Sequence, residues 1–157
     1  MTSQQTQKPI HILLADDDED DRFLTREAFL KHFPISQMQF VEDGEELMEY
    51  LNRTGRYKDS QAEMPELILL DLNMPRKDGR EALQEIKTDQ RLRHIPVIVL
   101  TTSDAQEDVE NSYFWGANSF ITKPTSYQKL VDVTKAIGQY WFEVVRICDQ
   151  EPSEKPV

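Results

Sequence analysis

Short apolar runs alternate with helix-like spacing along this chain. Residues 10–15 (Ile-His-Ile-Leu-Leu-Ala) predict a first strand. The acidic run 16–21 suits the start of the following helix, because a helix amino end favours negative charge. That helix is expected to reach about residue 33, where Pro34 stops it. A weaker strand at 38–41 leads through Asp43 and Gly44 into a helix near 45–52, and 53–63 read as a polar connection. Residues 67–70 (Leu-Ile-Leu-Leu) carry no polar alternation, the pattern of a strand covered on both faces. Pro75 and Gly79 mark a turn before a helix at 80–88, and 96–100 form another buried strand that ends at Thr101. A helix at 106–115, a strand at 119–122 ending at Lys123-Pro124, and a last helix at 126–147 complete the pattern.

Strands interleaved with helices in this way predict an α/β domain, a doubly wound five-stranded parallel sheet. In such a sheet ligands collect beyond the carboxyl ends of the strands. The residues there are Asp16, Asp17 and Asp18, then Asp71, Thr101 and Lys123. Each has a plain reading alone: helix cap, turn residue, strand terminus, solvated lysine. Together they bring several carboxylates, one hydroxyl and one ammonium to one sheet edge.

Carboxylates held that close repel by about 4 kcal/mol per pair at 4 Å and an effective dielectric of 20. A bound divalent cation removes the repulsion, and an all-oxygen site with few protein ligands suits Mg²⁺. With Mg²⁺ present, phosphoryl transfer becomes chemically reasonable, because that reaction needs positioning and charge neutralisation. Asp71 is the candidate nucleophile, and Thr101 and Lys123 are candidate partners of the transferred oxygens. A carboxylate is already ionised at pH 7 and needs no general base.

The 157 residues suffice for one domain with a real core. Residues 10–148 are expected to form it, with polar tails at 1–9 and 149–157. The net charge of −11 argues against nucleic acid and anionic membrane surfaces as partners. Cys148 is the single cysteine, so no internal disulfide is possible. The polar start and the lack of a long apolar run make a cytoplasmic protein the expectation.

Four pieces in order resemble the receiver domain of bacterial two-component response regulators. They are Asp16-Asp17 after residues 12–15, Asp71 through Pro75 with Asp78-Gly79, Thr101-Thr102, and Lys123-Pro124. The resemblance spans about residues 10–137 and implies a flavodoxin-like (βα)5 receiver. It implies that Asp71 is the phosphoacceptor, that Asp16, Asp17, Asp71 and the Asn73 carbonyl hold Mg²⁺, and that Thr101 and Lys123 act on the phosphoryl group. It further implies a Thr101–Phe120 switch, a histidine kinase as donor, and a cis bond before Pro124. A one-residue slip would make Asp18 a ligand instead. Residues 76–79 and 125–145 look more like the single-domain regulators partnered with phytochrome-type histidine kinases.

Leu130, Val133, Ile137, Tyr140 or Trp141, and Val144 recur at helical spacing and should face the core. A last helix of about 22 residues spans roughly 33 Å and overhangs a small sheet. Trp141 and Phe142 are adjacent, so both are not expected to face one core. Tyr140, Trp141, Phe142 and Val145 are therefore the candidate homodimer surface. The expected output is protein–protein contact. Asn73 stands where a haloacid dehalogenase-type phosphatase needs a second aspartate, so a stored phosphoryl signal is expected rather than turnover. The acidic run after the first strand speaks against a flavodoxin-like phosphate cradle. The alternative is a receiver that acts only as a binding or dimerisation module.

Overall fold

In the computed structural model, which describes residues 9–148, five strands and five α-helices alternate. They are β1 His11–Ala15, α1 Glu19–His32, β2 Gln37–Val41, α2 Gly44–Asn52 and β3 Leu67–Leu70. Then come α3 Gly79–Thr88, β4 Val97–Thr101, α4 Gln106–Phe114, β5 Ser119–Thr122 and α5 Tyr127–Gly138. The polar connection after α2 contains one 3₁₀ turn, Gly55–Tyr57. Tail residues 1–8 and 149–157 lie outside the described residues.

The strands form one parallel sheet in the order β2-β1-β3-β4-β5. Side chains alternate between its faces. Leu13 and Ala15 join Ile68, Leu70, Val97 and Val99 beneath α2 and α3, whose Leu47, Leu51, Leu83 and Ile86 close that core. Ile12 and Leu14 join Leu67, Leu69 and Ile98 against Phe29 of α1 and Ile137 of α5. Every residue of β3 is buried, which is why its sequence shows no polar alternation.

Four helix starts share one device. Asp18, Asp43, Asp78 and Ser126 accept hydrogen bonds from the backbone N–H groups of Asp21, Glu46, Glu81 and Lys129. Each such cap contributes about 1 kcal/mol and fixes a helix amino end near the carboxyl edge of the sheet. Among the described residues no helix is long and apolar enough to cross a membrane.

The carboxyl-terminal helix departs from expectation. α5 ends at Gly138 and continues as one π-helical turn, Gln139–Val144, closed by Val145 N–H donating to the Tyr140 carbonyl at 3.0 Å. The helical segment thus stops short of residue 147. The wider turn rotates Trp141 and Phe142 together, so both pack on the α1 face of the core. Phe142 meets Phe33 edge-on at 5.9 Å. The buried stripe is Val131, Thr134, Ile137 and Gly138, whereas Tyr140 and Val144 are 52% and 70% exposed. Val145 is half-buried. The close approach of Phe33 to α5 explains Gly138, since a Cβ there would collide with the Phe33 ring.

Candidate functional site

β1 and β3 are hydrogen-bonded neighbours with Ala15 opposite Leu70, so the residues after them emerge side by side. Asp71 N–H donates to the Ala15 carbonyl at 3.0 Å. Ligand oxygens of Asp16, Asp17 and Asp71 all lie within 4.8 Å of one another. Asp16 and Asp71 are buried and Asp17 is exposed. Asp18 stands apart from this cluster: its carboxylate caps α1, and its own N–H donates to Asp16 Oδ1 at 2.9 Å.

The Asp71 carboxylate is held at both oxygens. Oδ1 accepts from the Thr101 hydroxyl at 2.8 Å and from Asn73 N–H at 3.1 Å, and Oδ2 accepts from Lys123 Nζ at 2.9 Å. Thr101 is fully buried at the end of β4. Lys123 follows β5, its N–H bonded to the Thr101 carbonyl at 2.7 Å. Its ammonium also donates to Asp16 at 2.7 Å and to Asp21 at 2.8 Å. The sequence reading did not single out Asp21. It sits one turn beyond the strand end, where its acidic neighbours marked only a helix start.

Burial pushes the Asp16 carboxyl above its ordinary range, with the Lys123 and Asp18 hydrogen bonds pulling the other way. Burial also disfavours the Lys123 ammonium, but its bonds to Asp16 and Asp21 outweigh that and raise its pKa. Lys123 therefore stays cationic at neutral pH. One ammonium faces the carboxylates of Asp16, Asp21 and Asp71, with Asp17 alongside. This oxygen-only donor set with excess negative charge can hold a divalent metal ion.

The loop after β3 is fixed from several sides. Gly79 N–H donates to the Leu72 carbonyl at 2.9 Å, and a Cβ on Gly79 would run into the Asp71 carbonyl oxygen. Arg76 has φ 63° and pairs through Nη2 with the buried Asp43 carboxylate at 2.6 Å. Past the loop, Arg80 of α3 binds both oxygens of Asp108 in α4, each at 2.8 Å. Asp43–Arg76 and Arg80–Asp108 join separate elements, and no local motif in the sequence signals either pair.

Phe120 is half-buried on β5 opposite Val99, and its N–H donates to the Tyr113 hydroxyl oxygen at 3.1 Å. Contrary to the resemblance, the Lys123–Pro124 peptide is trans.

Residues 12–135 match the family model of the response regulator receiver domain. The chain is 38% identical over 145 residues to Response regulator Rcp1 of Synechocystis sp., covering 92% of this chain and 97% of that protein. Among solved structures, the phosphorylated cyanobacterial phytochrome response regulator RcpA superposes with a TM-score of 0.84 at 38% identity. That match covers 90% of this chain and 99% of RcpA. The Mn²⁺-bound form of Rcp1 gives 0.81 at 40% identity, covering 88% and 99%. With the sheet order, the strand-end carboxylates and these matches in agreement, the chain belongs to the response regulator receiver family.

Proposed function

We propose that Asp71 is the phosphoacceptor of a Mg²⁺-dependent reaction with a histidine kinase, in the cytoplasm. The observation that carries this is the Asp71 carboxylate itself. It is 6% exposed, held by Thr101, Asn73 N–H and Lys123, and flanked by Asp16 and Asp17. One Asp71 carboxylate oxygen attacks phosphorus of a phosphohistidine. The P–O bond forms, the P–N bond breaks, and the electron pair stays on the imidazole nitrogen. Lys123 supplies positive charge beside the transferred oxygens, and the Thr101 hydroxyl is within one rotation of donating to them. Asp16, Asp17, Asp71 and the Asn73 carbonyl would hold Mg²⁺, which neutralises charge on the transferred group.

The similarity to Rcp1 and to RcpA, the latter named as a phytochrome response regulator, supports a phytochrome-type kinase as donor. A groove of about 260 Å³ beside Lys123, lined by Leu24, Leu100, Tyr127 and Leu130 together with the polar Asp21 and Thr102, offers that donor a mixed apolar and polar approach. Output runs through protein contacts, and the exposed Tyr140 and Val144 support a homodimer at the carboxyl-terminal turn. Light scattering of Tyr140→Ser/Val144→Ser should then report a monomer where the parent chain is a dimer. A parent chain that is monomeric with and without phosphoryl removes the dimer.

Incubation with acetyl phosphate and Mg²⁺, read by intact mass, tests the central proposal. One phosphoryl adduct is expected, absent in Asp71→Asn and in the presence of chelator. An adduct that survives both changes defeats it.

A further inference from the structure

Two loops flank the Asp71 carboxylate: the one after β3 carries Asn73, and the one after β4 carries Ser103. Hydrogen bonds join these loops into a closed circuit through two helices. Thr101 Oγ1 donates to Asp71 Oδ1 at 2.8 Å and lies 3.5 Å from Ser103 N–H. The Ser103 hydroxyl donates to Asp108 Oδ2 at 2.6 Å. Asp108 is gripped by Arg80 Nε and Nη2. Arg80 Nη1 reaches Asn73 Oδ1 at 3.4 Å and Asp78 Oδ2 at 3.5 Å. Asn73 N–H returns to Asp71 Oδ1 at 3.1 Å, closing the circuit on the atom where it began.

The strongest member is the Arg80–Asp108 pair. Its geometry is bidentate, and its side chains are only 29% and 16% exposed. The hydrogen bonds from Arg80 and Ser103 hold the Asp108 carboxyl down at about 2. An isolated pair of this kind would dock α3 on α4 and nothing more. Here both ends carry a second bond into a loop beside the acceptor.

We propose that Arg80 and Asp108 are positioning residues that set the lifetime of the Asp71 acyl phosphate, by holding the Asn73 and Ser103 loops over it. The inference rests on Asp71 being the acceptor. In hydrolysis a water oxygen attacks phosphorus in line with the Asp71 oxygen. The bond from phosphorus to that oxygen breaks, and the products are inorganic phosphate, the Asp71 carboxylate and a proton released to solvent. Asn73 N–H touches the acceptor carboxylate directly and Ser103 N–H meets the Thr101 hydroxyl that touches it, so loosening either loop uncovers the acceptor to water.

The test loads the parent chain, Arg80→Ala, Asp108→Asn, their double variant and Ser103→Ala with acetyl phosphate and Mg²⁺. The donor is then removed at constant Mg²⁺, and the surviving adduct is followed by intact mass. Arg80→Ala and Asp108→Asn should each lose the adduct about tenfold faster, equivalent to about 1.4 kcal/mol of barrier. The double variant should be no faster than the faster single one, because the two residues act as a unit. Arg80→Lys, which keeps charge but loses the fork, should fall between.

Ser103→Ala cuts the circuit while leaving the helix pair intact, so it should also accelerate decay. Decay at the parent rate in Ser103→Ala would reduce the pair to a structural clasp and overturn the proposal. So would independent, multiplying effects of Arg80→Ala and Asp108→Asn. A parent chain that never loads overturns the acceptor reading instead.

Discussion

Two charged clusters lie on either side of Asp71, and they are built differently. On the Lys123 side, one ammonium serves Asp16, Asp21 and Asp71, so negative charge is in excess. On the Arg80 side, one guanidinium meets the Asp108 carboxylate edge to edge and reaches Asp78 only at 3.5 Å, and a serine hydroxyl satisfies an Asp108 oxygen that is already paired. The first cluster has valence to spare for a cation and a phosphoryl group. The second is saturated, which suits it to hold backbone in place. A pKa contrast follows from the same difference. Burial raises the Asp16 carboxyl, whereas its pairing with Arg80 lowers that of Asp108.

Breaking the first cluster should have the larger effect. Lys123→Ala leaves Asp16, Asp21 and Asp71 facing one another without their shared ammonium. Its loading by acetyl phosphate, followed by intact mass, is expected to slow by about a hundredfold. Loading at the parent rate would place the essential positive charge elsewhere. The tenfold changes in adduct decay expected from Arg80 and Asp108 variants rank second.

The smallest effect is on stability, and it depends on pH. The Asp108 carboxyl titrates at about 2 in the fold, below its ordinary 3.8, so between these values the unfolded chain binds more protons. Its stabilisation is therefore complete above about pH 4 and lost as pH falls through about 2. Chemical denaturation should find the parent chain about 1 kcal/mol more stable than Asp108→Asn from pH 7 down to about 4. The gap should close between about pH 4 and 2. A gap that persists at pH 2 would show that the Asp108 charge is not its source.

The sheet and the first cluster were legible because both follow from chain order. In a parallel sheet every strand delivers its next residue to the same edge. Asp16, Asp71, Thr101 and Lys123 could thus be grouped from four apolar runs alone, and the structure brings them within hydrogen-bonding distance. Asp18 could not be separated from its neighbours by sequence. Its cap to Asp21 N–H does so, since a carboxylate turned toward the α1 amino end is turned away from Asp71.

Arg80 and Asp108 lie on the first turns of two different helices, where contact depends on how α3 and α4 are rotated against each other. No local pattern records that rotation. The carboxyl-terminal turn escapes the sequence pattern for a related reason. A period of 3.6 residues forbids adjacent aromatics from sharing a core, and the π turn at Gln139–Val144 changes the period. The exposed apolar residues of that turn are therefore Tyr140 and Val144, and Trp141 and Phe142 pack against the core.

The central claim is that one carboxylate, that of Asp71, carries the phosphoryl group. Borohydride reduction of the loaded chain converts an aspartyl phosphate to homoserine, which peptide sequencing by mass spectrometry locates. Homoserine is expected at position 71 alone, with Asp16, Asp17 and Asp18 unchanged. Homoserine at any of those three, with Asp71 intact, would contradict it.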